Sequence, residues 1–199
     1  MKNHKLIIGI TGTHASGKDT VALRICERYS AENYSTGDEV RHEATKLLLD
    51  HSRFNLFTLG NKLREEFGSH VLALRALNRA HKHADIALIT GIRNVGEIEY
   101  LRKNSNFYLI AVDGPIGVRY QRATARKRIG EGKTLDEFRV SEEKEMNAGG
   151  SGQQLTPCMK LADYFILNNE SLEKLFERTD EVAKAIMYAS DHSHKVETA

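Results

Sequence analysis

A chain of 199 residues, 40% of them hydrophobic, is long enough to bury one sizeable core, and its apolar segments are spread along the whole length without a long linker. Its net charge of +2 is too small to argue for a nucleic-acid partner, and no apolar run approaches the roughly 20 residues that span a bilayer or the length of a signal-peptide core. Two cysteines, Cys26 and Cys158, lie far apart without neighbours at metal-ligand spacing, which argues against a disulfide scaffold or a zinc site and for a soluble, cytoplasmic protein with reduced thiols.

In chain order, the first element is the apolar run Leu6 to Ile10, which leads into Gly12-Thr13-His14-Ala15-Ser16-Gly17-Lys18-Asp19-Thr20 and a helix from Lys18 to about Tyr29. These residues describe a phosphate-binding loop. Its glycines let successive backbone N–H groups turn toward one anion, the helix N-terminus adds partial positive charge, and Lys18 reaches the outer phosphates. His14 is expected to offer its backbone N–H rather than its ring. Tyr34-Ser35-Thr36 reads as a second strand ending at Gly37-Asp38, and a helix over Glu39 to Leu49 follows. After the polar break His51-Ser52-Arg53, a helical segment from about Leu59 carries Leu63 and Phe67, and Ser69 is a candidate N-cap for a helix with Val71, Leu72 and Leu77. The strand Ile86 to Thr90 is apolar on both faces, as an inner parallel strand covered by helices should be.

Asn94 and Glu97 suggest a capping box for a helix through Lys103, and Phe107 to Val112 is the fourth strand. Pro115 opens a helix to about Ile129 that carries Arg119, Arg122, Arg126 and Arg128; Gly130-Glu131-Gly132 ends it. Thr134 and Glu137 form a second capping-box candidate, opening an acidic helix to about Met146, and Gly149-Gly150-Ser151-Gly152 is a joint. Tyr164 to Leu167 is the fifth strand. Ser171 caps the last helix, and a polar tail is expected over 191–199. Strands alternating with helices give a parallel sheet with right-handed crossovers, with ligands beyond the carboxyl ends of the strands, where every loop named above lies.

On these residues the chain resembles the P-loop kinases of the nucleoside monophosphate kinase and dephospho-CoA kinase group, over nearly its whole length. Gly17-Lys18-Asp19-Thr20 is similar to their loop, Ser35-Thr36-Gly37-Asp38-Glu39-Val40-Arg41 to a Ser-Thr-Gly-Asp-x-x-Arg stretch of adenylate kinases, and Gly91-Ile92-Arg93 falls where those kinases place Gly-Phe-Pro-Arg. Ala162 to Leu172 looks like the closing strand and base-side loop of dephospho-CoA kinases. The overall likeness is greatest to a poorly characterised archaeal-type family of kinase-like ATPases, with Leu63-Arg64-Glu65-Glu66-Phe67-Gly68 also fitting. The resemblance implies a three-layer α/β P-loop NTPase fold with a five-stranded parallel sheet in the order 2-3-1-4-5. It implies one kinase domain over 1–190, with an acceptor-binding insert at about 38–83 and a lid at about 126–150.

The implied activity is transfer of phosphoryl from ATP, with Mg²⁺, to a small phosphorylated acceptor, first a nucleoside or deoxynucleoside monophosphate. The alternatives are dephospho-CoA, whose hydroxyl would need Asp38 as base, and a nucleotide-binding regulator of low turnover. Lys18, Asp38, Arg93 and Arg126 are the candidate catalytic residues. Residues Gly12 to Thr20, with Arg126 and Asn168, are the candidate ATP contacts, although Asn168 is equally suited to shaping a turn. Asp38, Arg41, Arg93 and Arg128 are the candidate acceptor contacts, because a guanidinium fork pairs with phosphate and stays charged when water is shut out. Asp19 and Thr20 are the candidate metal residues. Thr90 departs from the expected pattern, since an aspartate to hold Mg²⁺-bound water belongs at that strand end. No membrane or nucleic-acid partner is expected, and the protein would be a monomer or homodimer.

Overall fold

A computed structural model describes residues 6–83, 85–126, 134–146 and 152–196. Five parallel strands, β1 (Leu6–Gly12), β2 (Glu32–Ser35), β3 (Ile86–Thr90), β4 (Asn106–Asp113) and β5 (Tyr164–Leu167), lie side by side in the order β2-β3-β1-β4-β5. This is the expected order. Between them run α1 (Lys18–Tyr29), α2 (Thr36–Lys46), α3 (Arg53–Phe67), α4 (Val71–His83), α5 (Val95–Asn104), α6 (Ile116–Ala125), α7 (Leu135–Met146), α8 (Leu155–Lys160) and α9 (Leu172–Val196).

Alternation along each strand sends apolar side chains to both faces of the sheet, and helices bury them there. On one face Ile8, Ile10, Leu88, Ile110 and Val112 pack against Val21 and Ile25 of α1 and Leu175 and Ile186 of α9. On the other, Ile7, Ala87, Ile89 and Leu109 meet Leu77 of α4, Ile98 and Leu101 of α5 and Cys158 of α8. A smaller cluster of Val40, Ala44, Leu59, Leu63, Val71 and Leu72 joins α2, α3 and α4 into a subassembly beyond the edge of β2 and β3. Among the described residues, no helix is long and apolar enough to cross a membrane.

Several boundaries differ from the sequence expectation. Ser35 caps α2 by accepting from the Gly37 N–H at 3.1 Å, so the helix starts at Thr36 and takes Asp38 into its first turn. Ser52 caps α3 through the Asn55 N–H, so the supposed polar break at Arg53 is the first turn of a helix. The six-residue α8 had no apolar period to betray it, and its Pro157 sits in the first turn, where a missing N–H costs nothing. The helix opened by Pro115 ends at Ala125, and α9 continues to Val196, past the start of the expected polar tail. The capping box of Asn94 and Glu97 is formed as expected, and Thr134 accepts from the Glu137 N–H at 3.2 Å.

Candidate functional site

The loop between β1 and α1 has the backbone that anion binding requires. Gly17 (φ 99°) and Ala15 (φ 58°) turn the chain through the left-handed region immediately before α1. No other residue fits at Gly17, because an added Cβ would fall on the side-chain amide of Asn168. The Lys18 ammonium reaches back to donate to the Thr13 carbonyl at 2.6 Å. Burial, then the charge of Arg93, pushes its pKa down to about 8, with Asp19 and Glu145 acting in the opposite sense. The hydroxyl oxygen of Ser16 is fully buried and has no hydrogen-bond partner among the described residues, an uncommon condition that an anion or a water in the loop would relieve.

The loop is held from three sides. Thr13 Oγ1 donates to Asp113 at the end of β4, and Thr11 Oγ1 donates to the Ile92 carbonyl at 2.8 Å. Asn168, after β5, donates to the Ser16 carbonyl at 2.8 Å while its oxygen accepts from Arg122 at 3.0 Å. Arg119, buried in α6, donates to the carbonyls of Gly114 (2.7 Å) and His14 (3.1 Å) and forks onto Glu142 of α7. Phe138, one turn before Glu142, packs against Ala15 and Ala123, with the His14 ring 5.4 Å from its own. Burial, reinforced by the charge of Arg53, lowers the His14 pKa to about 3, so the imidazole is neutral at pH 7 and adds no cation.

One turn beyond Glu142, the Glu145 carboxylate completes the wall. Its Oε1 accepts from Arg53 at the start of α3, and its Oε2 accepts from Arg93 Nη1 at 2.9 Å. Burial works to raise the Glu145 pKa, but Arg93 and then Arg53 outweigh it and hold the carboxyl below the usual range. Arg93 is aimed by its surroundings. Its N–H and that of Asn94 both donate to Glu97, which is buried and paired with Arg64 at 3.0 Å, and Gln153 accepts from its guanidinium at 2.7 Å.

The predicted residues therefore divide. The loop residues and Arg93 come together around Lys18. Asp38 and Arg41 pair with each other at 2.6 Å, with both side chains about half exposed. Asn168, expected as an ATP contact or a residue that shapes a turn, is buried with both ends of its amide engaged with protein, where it braces the loop. Arg126 is exposed at the end of α6. Arg128, the glycines at 130 and 132, and the joint at 149–151 lie outside the described residues. Thr90 is buried and donates to Asn33 at 3.0 Å, which ties β3 to β2.

Sequence reasoning missed Arg53, Asp113, Glu142 and Glu145, and saw Arg119 only as one arginine of the cationic helix after Pro115. The one available signal was the spacing of Phe138, Glu142 and Glu145, which puts all three on one helical face. Arg53 had none, because its helix was expected to begin only near Leu59.

Among the described residues, no group of three or more His, Cys, Asp or Glu side chains could hold a metal by itself. Mg²⁺ in phosphoryl-transfer sites takes one or two protein oxygens and completes its shell from phosphate and water. Thr20, half-buried in the first turn of α1, and the carboxylates of Asp19 and Asp113 are donors of that kind beside the loop.

No family model matches the chain. A UPF0200 protein of Pyrococcus abyssi is 31% identical over 190 residues, which cover 92% of this chain and 98% of that protein. Another, of Methanocaldococcus jannaschii, is 30% identical over 185 residues, covering 92% and 91%. Among solved structures, shikimate kinase from Bacteroides thetaiotaomicron aligns with a TM-score of 0.59 at 15% identity, covering 92% of this chain and 98% of that one. The Mycobacterium tuberculosis APS kinase in complex with AMPPNP and APS aligns with a TM-score of 0.52 at 19% identity, covering 93% and 98%. At such identities the likeness carries the fold, which is that of P-loop kinases.

Proposed function

The chain belongs to the UPF0200 family, and we propose that it is an ATP- and Mg²⁺-dependent phosphotransferase for a small phosphorylated acceptor, first a nucleoside or deoxynucleoside monophosphate. The observation that carries this reading is a phosphate-type loop in which Lys18 lies within the electrostatic reach of Arg93 and the buried Ser16 hydroxyl has no hydrogen-bond partner among the described residues. Phosphoryl transfer needs little covalent chemistry from a protein; it needs two anions held in line and the charge on the moving group neutralised.

The loop amides from Thr13 to Thr20 bind the outer phosphates of ATP, and Lys18 leaves the Thr13 carbonyl to pair with them. A phosphate beside Lys18 raises its pKa again and keeps it charged. Arg93, already fixed by Glu97 and Gln153, bridges the transferred group and the acceptor. Arg126, exposed after the last turn of α6, serves as a lid arginine that folds onto the phosphoryl. Thr20 with Asp19 or Asp113 would hold Mg²⁺, which when bound would supply charge neutralisation at the phosphates.

A second reading has its own support: Asp38 stands about half exposed at the start of α2, oriented by Arg41, where a carboxylate could take the proton of a hydroxyl acceptor such as dephospho-CoA. The test is ADP formation and product mass with Mg²⁺-ATP against common NMPs, dNMPs and dephospho-CoA. Turnover with a monophosphate, abolished in Lys18→Met without loss of folding, is the expected result. Turnover with dephospho-CoA alone, lost in Asp38→Asn, would replace the first reading with the second. Tight ATP binding with no acceptor-dependent turnover would overturn both in favour of a nucleotide-binding regulator.

A further inference from the structure

Arg53 and Arg93 come from elements 40 residues apart, yet they close on the two oxygens of one carboxylate, Glu145. The carboxylate is buried, at 6% exposure, while the two arginine side chains remain 27% and 31% exposed. Each arginine side chain therefore keeps an approach from solvent.

Glu145 gains nothing from its own helix. It is the penultimate residue of α7, where the macrodipole disfavours an anion by about 0.3–1 kcal/mol. It is held there by the arginines. The charges of both arginines reach the phosphate loop, where Arg93 acts on Lys18 and His14 and Arg53 acts on His14. Two planar forks converging on one pair of oxygens suit a phosphate monoester, which offers three oxygens and up to two charges where the carboxylate offers two oxygens and one.

Resting on the kinase reading, we infer that Arg53 and Arg93 form the subsite for the acceptor's phosphate monoester, and that Glu145 occupies it until the acceptor exchanges for it. Acceptor binding is then an anion exchange that releases Glu145, while the Arg119–Glu142 pair one turn earlier keeps α7 attached. The acceptor's apparent affinity is lowered by the competing carboxylate, and removal of that carboxylate raises it.

The probe is orthophosphate, titrated calorimetrically into protein saturated with Mg²⁺-AMPPNP so that the loop is already filled. Glu145→Gln should bind orthophosphate at least about tenfold more tightly than the wild type, and Arg53→Gln added to it should cancel the gain. Glu145→Asp, which keeps the charge on a shorter stem, should give a smaller gain and decides the matter if the glutamine variant does not fold. Equal or weaker phosphate binding in folded Glu145 variants, with unchanged AMPPNP affinity, would overturn the subsite. If AMPPNP does not bind the wild type, the kinase reading is what fails. The same phosphate comparison in a Lys18→Met background then decides the subsite by itself.

Discussion

His14 and Lys18 stand four residues apart in one loop, and both give up protons more readily than they would in water. For His14, with its pKa lowered from 6.5 to about 3, the unfolded chain binds the extra proton first as pH falls. Stability is therefore fully present above pH 6.5 and drains away toward pH 3, at up to about 1.4 kcal/mol per unit. Urea unfolding between pH 4 and 7 should show a slope that His14→Gln flattens. Lys18 has the same sign in another window. With its pKa lowered from 10.5 to about 8, the folded protein loses its proton first as pH rises, and stability grows between those values. Lys18→Met should remove that rise, and Mg²⁺-AMPPNP should suppress it in the wild type by restoring the charged form.

At the scale of elements, α7 is seated by Phe138 against Ala15, by Glu142 on Arg119, which reaches the His14 carbonyl, and by Glu145 on Arg53 and Arg93. Glu142→Ala removes both hydrogen bonds of the Arg119–Glu142 fork and leaves the buried Arg119 with two carbonyls and the Asp113 carboxylate at 3.4 Å, a smaller loss than the roughly 3–5 kcal/mol of a fully orphaned buried charge. Denaturant midpoints should record a loss below that range, with ATP-analogue affinity falling as the His14 carbonyl is released. The strands and the loop were legible from sequence because each rests on a local period or a turn chemistry, while the order of the sheet followed from the family resemblance. The placement of α7 was not legible. Its polar helix carries little apolar pattern, and what seats it are carboxylates whose partners lie 23, 52 and 92 residues away. Asp38 and Arg41 show the converse, a motif legible as a string whose two side chains satisfy each other at 2.6 Å.

Across the whole molecule, binding at the loop should tighten a structure whose parts meet there, since β1, β4, α6, α7 and the segment after β5 all end on it. A ligand that binds the folded state alone stabilises it by about 2.7 kcal/mol at a hundred times its dissociation constant. Mg²⁺-AMPPNP should therefore raise the wild-type unfolding midpoint by several degrees and leave Lys18→Met unmoved; an equal rise in both would remove Lys18 from the nucleotide site. The Asn168 brace also has a bearing on biosynthesis. The loop appears among the first twenty residues made, but the strands flanking β1 are contributed by residues 86–113, and the amide that fixes the Ser16 carbonyl comes at position 168. Because non-local pairings of this kind must wait for their partners, a chain still on the ribosome would carry its phosphate motif unformed through most of translation. Nascent chains halted before Asn168 should fail to retain on an immobilised ATP analogue, and competence should arrive late, when β5 and its following turn have cleared the exit tunnel.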